Sequence, residues 1–157
     1  MRSESDYTNL ASQLGSGAEG KIFLDATNPL SFPELEVFWD GNKSAGELFQ
    51  AALPKSFVFK VFNTVGLNHL GNPDGSLVPG RDKSLGPLKM LYCGPPEQRE
   101  AAAQVIYAVG FQPAYVGGIR YSRNLEAIAE LWIHLAIPGV GSSENWGMGF
   151  HFEPTGV

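Results

Sequence analysis

Three groups of residues in this 157-residue sequence have the types and spacing to do chemistry. "GSGAEG", residues 15–20, spells G-x-G-x-x-G, the glycine pattern of a dinucleotide-binding turn. In such a turn the pyrophosphate meets backbone N–H groups at a helix N-terminus, which requires a strand before the glycines and a helix after them. Glu126, Glu130 and His134 recur at every fourth position. On a helix they share one face, where two carboxylates and an imidazole can ligate a metal. Cys93 is the only cysteine, and a thiol becomes a nucleophile where a basic neighbour draws off its proton.

Each group has a plainer account. "SDYTNLASQL" ahead of the glycines places Tyr7, Leu10, Ala11 and Leu14 near helical spacing, and "KIFLDAT" behind them reads as a buried strand. That order is the reverse of the nucleotide-binding one, so the spacing predicts a helix C-cap and a loop into a strand. Di-iron helices space Glu and His three apart, not four. Without further His or Cys ligands the Glu126–Glu130–His134 face reads as a polar helix face, and no metal is expected. Nothing basic adjoins Cys93, which reads as a small buried hydrophobe. His69 and His151 are isolated and receive no role. Arg120 and Arg123 can meet a phosphate or carboxylate, or simply lie at the surface.

The elements that must position these residues alternate. Helix is predicted over 5–14 and strand over 21–27, ended by "NPLSFP", whose prolines forbid regular structure. "KSAGELFQAALP" carries Ser44 and Glu47 at capping-box spacing and is stopped by Pro54. "SFVFKVFN" (56–63) is rich in β-branched and aromatic residues and reads as a strand. A Gly-, Pro-, Asp- and Asn-rich loop covers 66–87. "LKMLYCG" (88–94) is the next strand, "PPEQREAAAQVIYAVG" a helix with prolines near its first turn and Gly110 as its C-cap, and "FQPAYVGG" a short strand. "NLEAIAELWIHLAI" (124–137) is a helix with Leu125, Ile128, Ala129, Trp132 and Leu135 on one stripe. The glycine-rich, aromatic tail 138–157 reads as irregular.

Composition sets the outer limits. Hydrophobic residues make up 43% and charged residues 17%, a globular balance. Net charge is -5 with scattered Lys and Arg, which speaks against nucleic acid as a partner. No apolar run is long enough to span a bilayer, and the polar, acidic N-terminus carries no secretory signal. With one cysteine no internal disulfide forms. A soluble protein of a reducing interior, cytoplasm or organelle, is expected. Strands alternating with helices imply an α/β fold with a mainly parallel sheet of about four strands. Ligands of such sheets bind at the carboxyl ends of the strands. That rule directs attention to "DATNPL", "FNTVG" and "YCGPP".

These exits, in this order, resemble one family. The stretches "GKIFLDATNPL", "FVFKVFNTVG", "LKMLYCGPPEQREAAAQVIYAVGFQPAYVGG" and "RNLEAIAELWIHLA" are similar to the NADP-dependent oxidoreductases that include NADPH:deazaflavin oxidoreductases and the cytosolic domains of six-transmembrane metalloreductases. The resemblance runs from about Gly20 to Ala136. It covers the second half of the family's Rossmann domain and its helical end. A three-layer, partial Rossmann-like domain over 1–157 is therefore expected, without the half that grips adenine, ribose and pyrophosphate.

The resemblance implies site residues. Thr27, Asn28 and Pro29 would lie beside the nicotinamide of NADP, where an amide can hydrogen-bond a carboxamide; equally, Asn-Pro initiates a turn. Asn63 and Thr64 would border the meeting place of nicotinamide and a deazaflavin or flavin, or Asn63 caps the next helical turn. Trp132 and His134 would wall the second ring, or Trp132 is core.

Two functions follow. The chain is either part of an NADP-linked oxidoreductase passing hydride between nicotinamide and a deazaflavin or flavin, or a non-catalytic structural or interaction subunit derived from that fold. In both, a strand edge opened by the missing half needs cover. A homo-oligomer or a larger protein complex is expected.

Overall fold

The computed structural model describes residues 3–39 and 42–136. The expected irregular tail 138–157, with His151 and the aromatic stretch around Trp146, lies outside the described residues.

Helix α1 (Glu4–Leu14) opens on a capping box in which the Ser3 hydroxyl accepts the Asp6 N–H and the Asp6 carboxylate accepts the Ser3 N–H. The glycines that follow form a 3-10 turn, Gly15–Ala18, leading into strand β1 (Ile22–Asp25). The reversed order read from the sequence is therefore the order in the fold. Helix α2 (Ala45–Ala52) starts at the Ser44/Glu47 capping box, and strand β2 (Phe57–Lys60) follows. The loop expected over 66–87 contains a single helical turn, α3 (Leu67–Leu70), and a 3-10 turn at Lys83–Leu85. Strand β3 (Lys89–Tyr92), helix α4 (Arg99–Val109), strand β4 (Gln112–Tyr115) and helix α5 (Ser122–Ala136) complete the order. Gly110 closes α4 at φ 107°, a left-handed position that a side chain would strain.

The four strands pair in parallel, β1 with β2 and β3 with β4. The two pairs meet at their carboxyl ends, where Lys60 and Cys93 exchange backbone hydrogen bonds of 2.9 and 3.1 Å. Alternation along the strands sends side chains to two faces. Phe57, Phe59 and Val61 of β2 and its exit pack with Met90, Tyr92 and the Ala102, Ala103 and Ile106 face of α4. Val58 turns the other way, onto Tyr7, Leu48, Phe49 and Leu53 of α1, α2 and the loop after α2. Leu91 and Cys93 face Leu125 of α5. Helices thus cover both sides of the strands, the three-layer arrangement expected. Each fully buried aliphatic or aromatic side chain contributes about 1.5–3 kcal/mol.

Candidate functional site at the strand exits

Parallel pairing brings β1 and β2 to one edge, and the register sets Asp25 opposite Lys60. Their side chains therefore project to the same face. The Lys60 ammonium lies 2.6 Å from Asp25 Oδ2 and 3.0 Å from Glu126 Oε1, and donates to the Thr27 carbonyl at 2.8 Å. The ammonium thus makes one hydrogen bond and two close ion pairs, and all three charged side chains are closed to solvent. Asp25 Oδ1 accepts from both the Thr27 N–H and its hydroxyl, at 2.9 and 2.7 Å. Glu126 reaches outward as well. Its carboxylate accepts from the Ala45 and Gly46 N–H groups at the start of α2 and from the Trp39 indole at 2.9 Å. A carboxylate at a helix N-terminus satisfies orphan donors and complements the helix dipole.

A second set of bonds joins the exits directly. Asn28 Nδ2 donates to the Asn63 carbonyl at 3.2 Å, and Asn63 Nδ2 donates to Asn28 Oδ1 and to the Leu125 carbonyl, both at 3.0 Å. Phe62, just before, holds φ 63°, a left-handed conformation that costs an aromatic residue about 1–2 kcal/mol. Such strain gathers where a chain must present a side chain in a fixed direction. Here it directs Asn63 at Asn28 and α5. Gly66, four residues past Phe62, has its α-carbon against the Trp132 ring: an added Cβ would sit 2.8 Å from Trp132 Cζ2. Leu125 and Trp132 are seven residues apart, two helical turns, so one stripe of α5 covers the whole β2 exit.

The residues expected from sequence thus come together in part. Asn28 and Asn63 bond each other, and the exit that carries Asn63 meets Trp132 at Gly66. Thr27 is half-buried and tied to Asp25 and Lys60, while Pro29 and Thr64 are buried. Asn63 does not cap the next helical turn, since Gly66 holds that position. His134 is two residues from Trp132, about 200° around the helix, so the two project from nearly opposite sides of α5. His134 Nε2 is buried without a hydrogen-bond partner among the described residues. Glu126 departs from the polar-face reading: it is fully buried, while Glu130 is half-buried. Arg123 forms a two-pronged pair with Glu47 at 2.7 and 3.0 Å, tying α5 to the α2 capping box, and Arg120 is exposed.

Asp25 and Lys60 were not singled out from sequence, although a signal was present. A lysine inside "FVFKVF" and an aspartate closing "IFLD" are charges in apolar strands, and such charges are almost never buried unpaired.

The buried groups around the cluster are displaced from ordinary titration. Burial pushes the Cys93 thiol up to about 12, against the favourable pull of Lys60. Burial, with Asp25 adding, raises the Tyr7 hydroxyl further still. Burial alone would raise the Glu47 carboxyl, but Arg123 and Ser44 bring it below the usual range. Neither Cys93 nor Tyr7 is a nucleophile or base near neutral pH. A separate cavity of about 540 Å³ lies in the loop before β3, lined by Asp74, Ser76, Arg81 and Lys83 among glycines and prolines.

No family model matches the chain, and no curated protein matches it significantly. Solved structures do. A protein provisionally described as an F420-dependent NADP reductase, from Arthrobacter sp. FB24, superposes with TM-score 0.69 at 23% identity over 86% of this chain. A hypothetical protein from Sinorhizobium meliloti superposes with TM-score 0.58 at 21% identity over 96% of it. The likeness is one of fold. The chain is α/β and Rossmann-like, and it spans 60% and 62% of the length of these two structures. Among the described residues no helix is long and apolar enough to cross a membrane.

Proposed function

We propose that the chain forms the nicotinamide-side part of an NADP-linked oxidoreductase, with a deazaflavin or flavin as the second ring. One observation carries this reading: "DATNP", "FNTVG" and the Trp132 turn of α5 converge at the carboxyl edge of β1 and β2. The residues suit planar rings. Asn63 is buried, and its Oδ1 has no hydrogen-bond partner among the described residues, an unused acceptor of the kind a carboxamide N–H satisfies. Trp132 is half-buried and sets an aromatic surface against Gly66 of the same exit. The two rings, when bound, supply both hydride donor and acceptor, and the chain is asked for no acid or base. Its residues orient and shield, which fits a site whose ionisable groups are locked in internal pairs.

The description of the Arthrobacter structure as an F420-dependent NADP reductase supports the choice of rings. Since this chain spans about three-fifths of that structure's length, the adenine- and pyrophosphate-binding part is assigned to further polypeptide. NADP binding by this chain alone is then weak or absent. Its native state is proposed to be a homo-oligomer or a larger complex that covers the side of β1 left unpaired among the described residues.

A non-catalytic structural or interaction role is the second reading, and Asn28 favours it. Both ends of its amide are turned to Asn63, so the pair holds the two exits to each other. Titrating the protein with FMN, with F420 and with nicotinamide mononucleotide while following tryptophan emission separates the two. Saturable quenching that is lost in Trp132→Ala, with NADPH-driven reduction of one ring by the native assembly, supports the reductase. No saturation with any ring and no turnover by the assembly establishes the structural role.

A further inference from the structure

The Lys60 cluster joins the strand exits through Thr27, and the proposed ring chemistry gives it no part. Its connections are specific. Lys60 spends one proton on the Thr27 carbonyl, the peptide that leads into Asn28. The ammonium also forms close ion pairs with Asp25, whose other oxygen binds the Thr27 N–H and hydroxyl, and with Glu126. Thr27 is therefore gripped at its N–H, hydroxyl and carbonyl by one charged unit. Glu126 is followed around α5 by the turn that bears on Gly66, and its neighbour Leu125 accepts from Asn63. Successive residues of α5 thus anchor both strand exits: Glu126 through Lys60, Leu125 through Asn63.

An ion cluster is a costly way to fill this space. Apolar side chains of similar volume commonly give equal or greater stability. What they cannot do is bond the Thr27 carbonyl. We infer that Lys60 is a positioning residue: held by Asp25 and Glu126, it sets the path of the Thr27–Asn28 backbone and so the Asn28–Asn63 clasp at the strand exits. Its value to ring binding rests on the reductase reading; its control of the loop does not.

The test uses the full chain and hydrogen exchange resolved by residue. Lys60→Met alone strands two carboxylates and can fail to fold, so the informative variant combines Asp25→Asn, Lys60→Met and Glu126→Gln, which leaves no charge behind. The expected result is a loss of protection of about tenfold or more at Thr27, Asn28 and Asn63, with β3, β4 and α4 unchanged. Glu126→Gln alone keeps an acceptor for Lys60 and is expected to keep that protection. In the wild type, the Lys60 ammonium should give a slowly exchanging NMR signal coupled through the hydrogen bond to the Thr27 carbonyl carbon. Unchanged loop protection in the triple variant, uniform loss across β3, β4 and α4, or an absent Lys60 coupling would each overturn the inference. FMN quenching of the same variants reads the other proposal separately. A wild type that binds no ring, yet shows the coupling and the selective loop loss, retires the reductase reading and leaves Lys60 as the loop's anchor.

Discussion

Lys60 Nζ and Asp25 Oδ2 stand 2.6 Å apart at facing register positions, with both side chains sealed from solvent. Removing the cation leaves Asp25 and Glu126 buried together without a countercharge. Lys60→Met is expected to cost about 3–5 kcal/mol. Lys55→Met, which breaks an exposed 2.9 Å pair with Glu19, should change stability by under about 1 kcal/mol. Urea unfolding of the two variants side by side makes the comparison. A Lys60→Met loss no larger than the Lys55→Met loss would show that the buried charges do not depend on one another.

The contact between Gly66 and Trp132 yields a second expectation. Gly66 has an ordinary φ of -72°, so Gly66→Ala carries no backbone strain, and its effect is steric. The new Cβ meets the indole at 2.8 Å. The ring must shift, at a cost of about 1–3 kcal/mol, and tryptophan emission should move with it. Trp132→Ala, at a half-buried site, is expected to cost about 2 kcal/mol, below the 3–5 typical of a buried tryptophan. An unchanged emission spectrum and melting curve in Gly66→Ala would count against the contact.

Much of the fold was legible because the elements announce themselves locally. The Ser44/Glu47 box, Gly110 after α4 and the β-branched run of β2 are signals within one turn or strand, and each element appears within a few residues of its expected span. The glycine motif could be set aside for the same reason: its flanking elements were in the wrong order. What stayed hidden was the role of charges in the strands. Asp25 and Glu126 are 101 positions apart in sequence, and Lys60 lies between them. Only the parallel register and the placement of α5 make them neighbours, so their meaning is a property of tertiary packing. Glu126 looked like a surface carboxylate because every-fourth spacing gives a face without saying which way it points. The partnership of Asn28 with Asn63 was similarly invisible, although both lie in stretches expected to share a site.

Cys93 gives the fold a pH dependence. Its thiol is fully buried, and burial moves it from an ordinary 9.0 to about 12. The unfolded chain releases this proton above about pH 9, while the folded chain keeps it. Between these values the unfolded state holds fewer protons, so stability falls as pH rises, by up to about 1.4 kcal/mol per unit. Tyr7 adds to the decline at higher pH, being displaced in the same direction. Unfolding measured from pH 8 to 10.5 should show a downward slope that is shallower in Cys93→Ala. A thiol reagent should also leave the native protein unmodified at pH 8 and react once it is unfolded. Rapid labelling of the folded chain, or identical slopes in the two proteins, would contradict this placement.

The glycine motif closes with a prediction of no effect. A pyrophosphate cradle needs glycines at a helix N-terminus, where a side chain would block the approaching phosphate. Here Gly15–Ala18 is a 3-10 turn at the C-terminal end of α1, and its N–H groups do not open a following helix. Gly17 does not hold a left-handed φ, and an added Cβ would meet nothing within 4 Å. Gly17→Ala should therefore fold with unchanged or slightly raised stability, by less than about 1 kcal/mol, since alanine restricts the unfolded chain. Whatever affinity the protein has for NADPH should also be the same in the variant. Calorimetric titration of both proteins, with thermal melts in parallel, decides the matter. A variant that melts like the wild type but has lost NADPH binding would mean that these glycines do hold a phosphate, and the 3-10 turn would have to be recast as a nucleotide loop.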